Sequence, residues 1–265
     1  MFSNISQAFK YLNFFLTAKS RHGHGIHSPF VFHFIEKVLC DKNAYPEYVV
    51  VENLRKDLLH DKRKLPYTDL GAGSKTGTGD QRSIASIARH SAKSKKCGQL
   101  LFRIVRKYSP AHILELGTSL GVTTSYLALG NRDGHVSTIE GVESVAGEAS
   151  RNFKKSGLDN VHLYNGNFDD TLTRVLQDHP IIDLAFIDGN HREEPTLRYF
   201  NTLAGHCNND TLLIFDDIHW SLGMEKAWQA IKEHPATLCT IDLFYMGIVL
   251  FRKEFREKQH FRIRF

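Results

Sequence analysis

The chain has 265 residues, 42% of them apolar and 24% charged, a composition that excludes disorder and suffices for a large core or for one domain with an extension. No run approaches the roughly 18 apolar residues of a membrane span. Cys40, Cys97, Cys207 and Cys239 lie at least 32 residues apart, which argues against a zinc module or disulfide framework and for a reduced, cytoplasmic setting. Residues 1–98 hold 16 Lys and Arg against 8 Asp and Glu, leaving 18 against 21 for the rest. A basic front, suited to an anionic partner, thus precedes a mildly acidic remainder.

The opening MFSNISQAFKYLNFF lacks a basic region ahead of an adequate apolar run, so no secretory signal is expected. Phe2, Ile5, Phe9, Leu12 and Leu16 recur at helical steps and predict an amphipathic helix. Its polar side is poor in Lys and Arg, which favours a docking or dimer face over a membrane anchor. In SRHGHGIHSPF the glycines break the helix, and Ser28-Pro29 supplies an N-cap and a first-turn proline for a helix over Phe30 to Leu39. The spacing of His22, His24 and His27 fits no ordinary zinc site and is read as active-site cover or packing. The Gly- and Lys-rich 71–80 segment is expected to be a mobile loop at a substrate entrance or a plain linker, before a helical stretch from Ser83 to Tyr108.

From residue 99 short β-branched runs alternate with helical patterns, the signature of an α/β fold on a mainly parallel sheet. Five strands are expected near 111–117, 135–141, 161–167, 181–189 and 211–218, each followed by a helix. ATLCTIDLFY and GIVLFRK then close the sheet as an antiparallel hairpin, and HFRIRF alternates like a half-buried strand at the sheet edge. The expected organisation is a helical N-terminal extension over 1–98, a lid, a dimer surface or both, and a Rossmann-like, seven-stranded domain over 99–265.

The most informative segment is ILELGTSLGVTT. Its glycines, Gly117 and Gly121, let the backbone approach a ligand at the carboxyl end of the first strand. The spacing is Gly-x3-Gly, not GxGxxG, and Glu115 two residues earlier favours a cationic ligand over a phosphate. Glu140 ends the second strand, well placed to accept both hydroxyls of a ribose.

ILELGTSLG, STIEG, NGNFDDTL, LAFIDGNHR and LLIFDDIHW, in this order, resemble a class I S-adenosylmethionine-dependent methyltransferase of the small-molecule O-methyltransferase kind, over roughly 99–253. The resemblance implies that Glu115, Gly117, Thr118, Ser119 and Gly121 surround the methionine part of the cofactor. Glu140 would hold the ribose, and Asn167 with Phe168 would border the adenine. SRHGHGIHSPFVF resembles the leader of a family of bacterial methyltransferases, a likeness that names no substrate. Asp69 to Ser74 resembles the acid-and-glycine turn of such domains, but no central strand precedes it.

Asp188 ends the fourth strand, and Asp216 and Asp217 end the fifth, 28 residues later. Side by side near the cofactor's methyl group, three carboxylates would repel one another unless they shared a hard divalent cation, Mg²⁺ first. Catechol-type O-methyltransferases show the same separation but end in Asp-Asn and carry a lysine where this chain has His191. Asp-x-x-His followed by two acids is more similar to metal-dependent macrolide-sugar O-methyltransferases, a likeness that implies His191 as base. His219 and Trp220 are weaker candidates for lining the acceptor pocket. The expected activity is methyl transfer to a small-molecule hydroxyl. An RNA methyltransferase, favoured by the basic front, is the alternative within enzymes, although no RNA-binding module appears and Asp188-Gly-Asn-His191 replaces the Asn-Pro-Pro-Tyr of base N-methyltransferases. A catalytically silent cofactor-binding regulatory protein is the alternative outside them, against which Glu115, Glu140 and His191 count.

Overall fold

The computed structural model describes residues 2, 4–20, 25–68 and 80–265; His22, His24 and residues 71–79 lie outside them. The N-terminal elements are α1 (Asn4–Thr17), α2 (Pro29–Phe34) with a π-helical turn over Ile35–Leu39, α3 (Pro46–His60), β1 (Lys64–Pro66), β2 (Gln81–Ser83), α4 (Ile84–Ser91) and α5 (Lys95–Tyr108). The α/β series follows: β3 (His112–Leu116), α6 (Val122–Gly130), β4 (His135–Glu140), α7 (Glu143–Lys155), β5 (Val161–Asn165), α8 (Phe168–Asp178), β6 (Ile182–Ile187), α9 (Glu193–Ala204), β7 (Cys207–Asp216), α10 (Leu222–Glu233), β8 (Cys239–Asp242), β9 (Met246–Leu250) and β10 (Gln259–Arg262). Side chains set several of these boundaries. The hydroxyls of Ser28, Ser83, Ser94 and Ser221 each accept a backbone N–H of the first turn of the helix that follows, satisfying a donor that the helix leaves open.

Two compact units make up the chain, one from residues 1–41 and 181–265 and the other from 42–180. Residues 1–98 are therefore shared, α1 and α2 with the first unit, α3, α4 and the β1–β2 pair with the second. In the 42–180 unit β3, β4 and β5 pair in parallel. In the other unit the order is β10-β8-β9-β7-β6, parallel except where β9 runs against β7 and β8. The result is the expected Rossmann-like α/β fold with an antiparallel closing strand. Its series has eight strands, the seven expected and the tail, which forms β10 and pairs in parallel with β8 at the edge as its alternation suggested.

Two expectations need correction. The stretch from Ser83 to Tyr108 is two helices, because Ala92 is extended (ψ 127°) and Ser94 caps α5. Of the two roles expected of the apolar face of α1, docking within the chain falls to another side: Ile5 (72%), Phe9 (69%), Leu12 (53%) and Leu16 (68%) are exposed, whereas Phe14 (2%) is buried. The helix docks through Tyr11, Phe14 and Ala18 against Phe244. Gln7 donates to the carbonyls of His219 and Trp220, and Lys10 pairs with Glu225 at 2.7 Å. Among the described residues no helix is long and apolar enough to cross a membrane.

In the 42–180 unit, α3 and α5 pack on α6 through Tyr48, Phe102 and Tyr126. Tyr126 is fully buried and donates to Glu52 at 2.6 Å; burial first, then that hydrogen bond and the Glu52 charge, raises its pKa. Gly98 of α5 faces that ring, and a Cβ there would lie 2.4 Å from Tyr126 Cδ2. Alanine is the better helix former by about 1 kcal/mol, yet displacing a packed ring costs about 1–3 kcal/mol. Gly98→Ala should therefore lower stability in urea denaturation despite its helix propensity, and a stabilised variant would refute the close contact.

Candidate active site

The 42–180 unit brings together the strand ends singled out in the sequence. Parallel pairing sets Glu115 opposite Thr138, and the chain leaves β3 through a turn that only special backbone geometry permits. Gly117 (φ 106°), Ser119 (φ 48°) and Gly121 (φ 82°) all have positive φ, and the N–H groups of Gly117 and Thr118 both donate to the Ile139 carbonyl. For Ser119 such a conformation is strained and persists because the surroundings fix it. What fixes it is Glu140: one carboxylate oxygen accepts the Ser119 N–H at 2.8 Å and the other accepts the Val142 N–H at 2.9 Å. Burial raises the Glu140 pKa, while the N–H groups of Val142, Ser119 and Gly141 oppose the rise. A carboxylate offers about four acceptor sites, so capacity remains for a ligand hydroxyl.

Glu115 sits deeper than the sequence suggested. It is fully buried, and one oxygen accepts the hydroxyls of Thr124 (2.5 Å) and Thr138 (2.6 Å). Thr118 in turn lies 2.6 Å from Thr138, a chain of hydroxyls in which each bond polarises the next. The sequence reading missed Thr124 and Thr138; a polar residue inside a strand as apolar as HVSTIE was the available signal. Asn167 caps α8 by accepting the Asp169 N–H at 3.1 Å, and Phe168 opens that helix. Gly166 and Asn165, just before them, both donate to the Glu140 carbonyl.

The acid and base residues belong to the other unit. Asp188 follows β6 and Asp216 ends β7, and with His191 they form a group whose ligand atoms all lie within 4.8 Å of one another. Asp216 is buried, and His191 Nε2 is 3.5 Å from an Asp188 oxygen. Asn190 holds the loop that carries His191: its backbone is left-handed (φ 54°), its amide donates to the Tyr199 hydroxyl at 3.2 Å, and its Oδ1 accepts from Arg192. Asp217, expected as a third acid of the cluster, is not in that group. The chain turns left-handed there (φ 53°), with the Asp217 N–H on the Tyr245 carbonyl at 2.7 Å, so adjacent acids part where the strand becomes loop. His219 is engaged elsewhere, since its ring nitrogens lie 2.9 Å from Asp242 and 3.2 Å from Glu225, and the ring stacks on Phe244.

Residues 114–218, which carry every strand end described above, match the family model described as a methyltransferase domain. Residues 114–218 carry a methyltransferase domain. Solved structures similar to it include an O-methyltransferase from Bacillus cereus in complex with SAH, with TM-score 0.56 and 20% identity over 83% of this chain and 97% of that one. The SAH-bound methyltransferase PaMTH1 of Podospora anserina gives TM-score 0.59 and 17% identity over 86% and 99%. TomG of Streptomyces achromogenes, an O-methyltransferase involved in tomaymycin synthesis and solved with SAM, gives 0.53 and 21% over 62% and 82%. Among curated proteins, the transmembrane O-methyltransferase homolog of Rattus norvegicus is 30% identical over 112 residues, 41% of this chain and 43% of its own length. The chain thus matches less than half the length of that relative.

The turn of the methyltransferase domain gives a test of its geometry. A Cβ on Gly121 would meet Phe153 Cε1 at 2.4 Å, at φ 82°. Gly121→Ala should cost about 1–2 kcal/mol from the left-handed backbone plus about 1–3 kcal/mol from the displaced ring. Adding Phe153→Leu should recover part of the second share and none of the first, as read by denaturant midpoints.

Proposed function

We propose that the protein is a cytoplasmic S-adenosylmethionine-dependent O-methyltransferase that methylates a hydroxyl of a small, anionic molecule with the help of a divalent cation. The observation that carries this reading is the group Asp188, His191 and Asp216, two carboxylates and an imidazole drawn together after β6 and β7 in a methyltransferase domain. Oxygen donors of this kind suit Mg²⁺ or Mn²⁺, and an imidazole suits proton removal at neutral pH.

The residues of the 42–180 unit fit the cofactor. The remaining acceptor capacity of Glu140 suits the ribose hydroxyls. The bare backbone at Gly117 and Gly121, with Thr118 and Ser119 between them, suits close approach of the methionine part, with Glu115 bracing that turn from the core. Asn167 and Phe168 would border the adenine. When bound, the cofactor supplies a methyl group on a sulfonium that is already activated, which leaves positioning as the main contribution of the protein. Asp188 and Asp216 would hold the cation, whose charge lowers the pKa of the acceptor hydroxyl. His191, steadied by Asp188, takes the proton as the hydroxyl attacks. Residues 1–98, which carry the excess positive charge, would select the acceptor.

Methyl transfer to catechols, sugars and bulk RNA, with and without Mg²⁺, tests the reading. Transfer to a small hydroxyl acceptor should vanish in chelator and return with Mg²⁺. Full activity in chelator would remove the cation, and transfer to RNA alone would replace the acceptor class. His191→Ala should lower turnover by about 10²–10⁴-fold, the usual contribution of a positioned general base. Unchanged turnover, with chemistry shown to be rate-limiting, would remove His191 as base.

Cofactor binding gives a separate test by calorimetry. Glu140→Ala should weaken it by about 1.5–3 kcal/mol, the worth of charge-assisted hydrogen bonds. Because burial raises the Glu140 pKa, wild-type affinity should fall with acidification at a higher pH than for an ordinary carboxylate, as protonation removes the acceptor. The variant should lack that step.

A further inference from the structure

Histidine marks four segments of the 42–180 unit at the end remote from Glu115 and Glu140. His112 starts β3, His135 starts β4, His162 is the second residue of β5, and His179 caps the end of α8. The parallel register sets His112 opposite His135 and Ser137 opposite His162. Because alternate residues of a strand share a face, the three strand histidines lie on one side of the sheet. His179 lies over two of them, with ring centroids 4.1 Å from His112 and 5.1 Å from His135. His112, His135 and His179 each offer a nitrogen, and these atoms all lie within 4.8 Å of one another.

We propose that His112, His135 and His179 form a binding site for a divalent transition-metal ion of the zinc type, with a structural role separate from methyl transfer. Three imidazoles and no carboxylate select Zn²⁺, Co²⁺, Ni²⁺ or Cu²⁺ and reject Mg²⁺ and Ca²⁺, which need oxygen. Tetrahedral zinc with Zn–N bonds of about 2.0–2.1 Å sets its donors about 3.4 Å apart, so no pair of nitrogens needs to draw in by more than about 1.4 Å, a distance that side-chain torsions cover. Ser137 Oγ stands 3.0 Å from His112 Nε2, the kind of outer contact that orients a metal-bound imidazole. His112 is buried, whereas His135 and His179 are half-buried, which leaves a way in for the ion and a place for water as fourth ligand. Glu140 lies five residues further along β4, about 16 Å at the usual strand rise, so the ion pins the strand starts to the end of α8 and takes no part in catalysis.

The test uses the full-length protein, stripped with chelator and titrated with Zn²⁺ in competition with a colorimetric zinc indicator. One equivalent should bind at micromolar or tighter affinity and raise the thermal midpoint by several degrees, and Mg²⁺ should not displace it. The double substitution His135→Gln and His179→Gln should weaken zinc at least 100-fold with the circular dichroism unchanged. Asp216→Asn should leave zinc affinity as it was. X-ray absorption at the zinc edge of the wild type should show three imidazoles, and it decides the matter even if the double variant does not fold. Absence of zinc binding, equal binding by a folded double variant, or an edge spectrum of oxygen donors with one imidazole would overturn the proposal, the last by assigning the ion to Asp188, His191 and Asp216.

Discussion

The Glu140 carboxylate bridges two turns: it accepts the Ser119 N–H after β3 with one oxygen and the Val142 N–H after β4 with the other. Much of the 42–180 unit's candidate site follows from that bridge. A serine held left-handed needs a compensating contact, and a half-buried carboxylate needs donors; each requirement meets the other. Next to this bridge, Glu115 and its threonine hydroxyls fix the strand ends from below. The turn's donors and acceptors are thus held in position before any ligand is present, the arrangement that keeps ordering costs low. Replacing Glu140 therefore removes the brace of both turns at once.

Where function was legible in the sequence, it was because the motif and the fold impose the same residue. Gly117 and Gly121 are glycines for backbone reasons, and Glu140 ends its strand where two turn N–H groups need an acceptor, so spacing along the chain picked them out. The fold class and the edge strand of the tail were visible for the same reason. The failures have physical causes. In α1 the residues at 5, 9, 12 and 16 form one stripe, and those at 7, 11, 14 and 18 form another nearly opposite. Periodicity detects a stripe but not which side the rest of the chain will cover. Helix α3 went unread although Pro46 opens it and Tyr48, Val51, Leu54 and Leu58 recur at steps of three and four. The break at Ala92 carries no glycine or proline, and only the Ser94 cap announces it. Asp217 was grouped with Asp216 by adjacency, which backbone handedness then undid.

Two histidines of the same unit show how surroundings divide labour among like side chains. His219 has a carboxylate at each ring nitrogen and an aromatic ring against its face, so its orientation is set and it serves to seat α1. His191 stands at 3.5 Å from one carboxylate, on a loop whose shape Asn190 holds. Among the described residues, that single contact leaves the other ring nitrogen without a carboxylate partner of the kind His219 has. Sequence alone offers no means of telling these two apart, since both follow aspartates at strand ends.

The chain order of the two compact units has a consequence for how the protein is made. Residues 42–180 are contiguous and can assemble as soon as they leave the ribosome, whereas the partners of α1 are synthesised more than 200 residues after it. Lys19 bonds to Arg262 and Arg264 through its backbone N–H and carbonyl, so the first helix waits for almost the whole chain. Contacts of such sequence separation form late, and until then both stripes of α1 face solvent. The interval between translation of α1 and arrival of β10 is when the nascent chain most needs a chaperone.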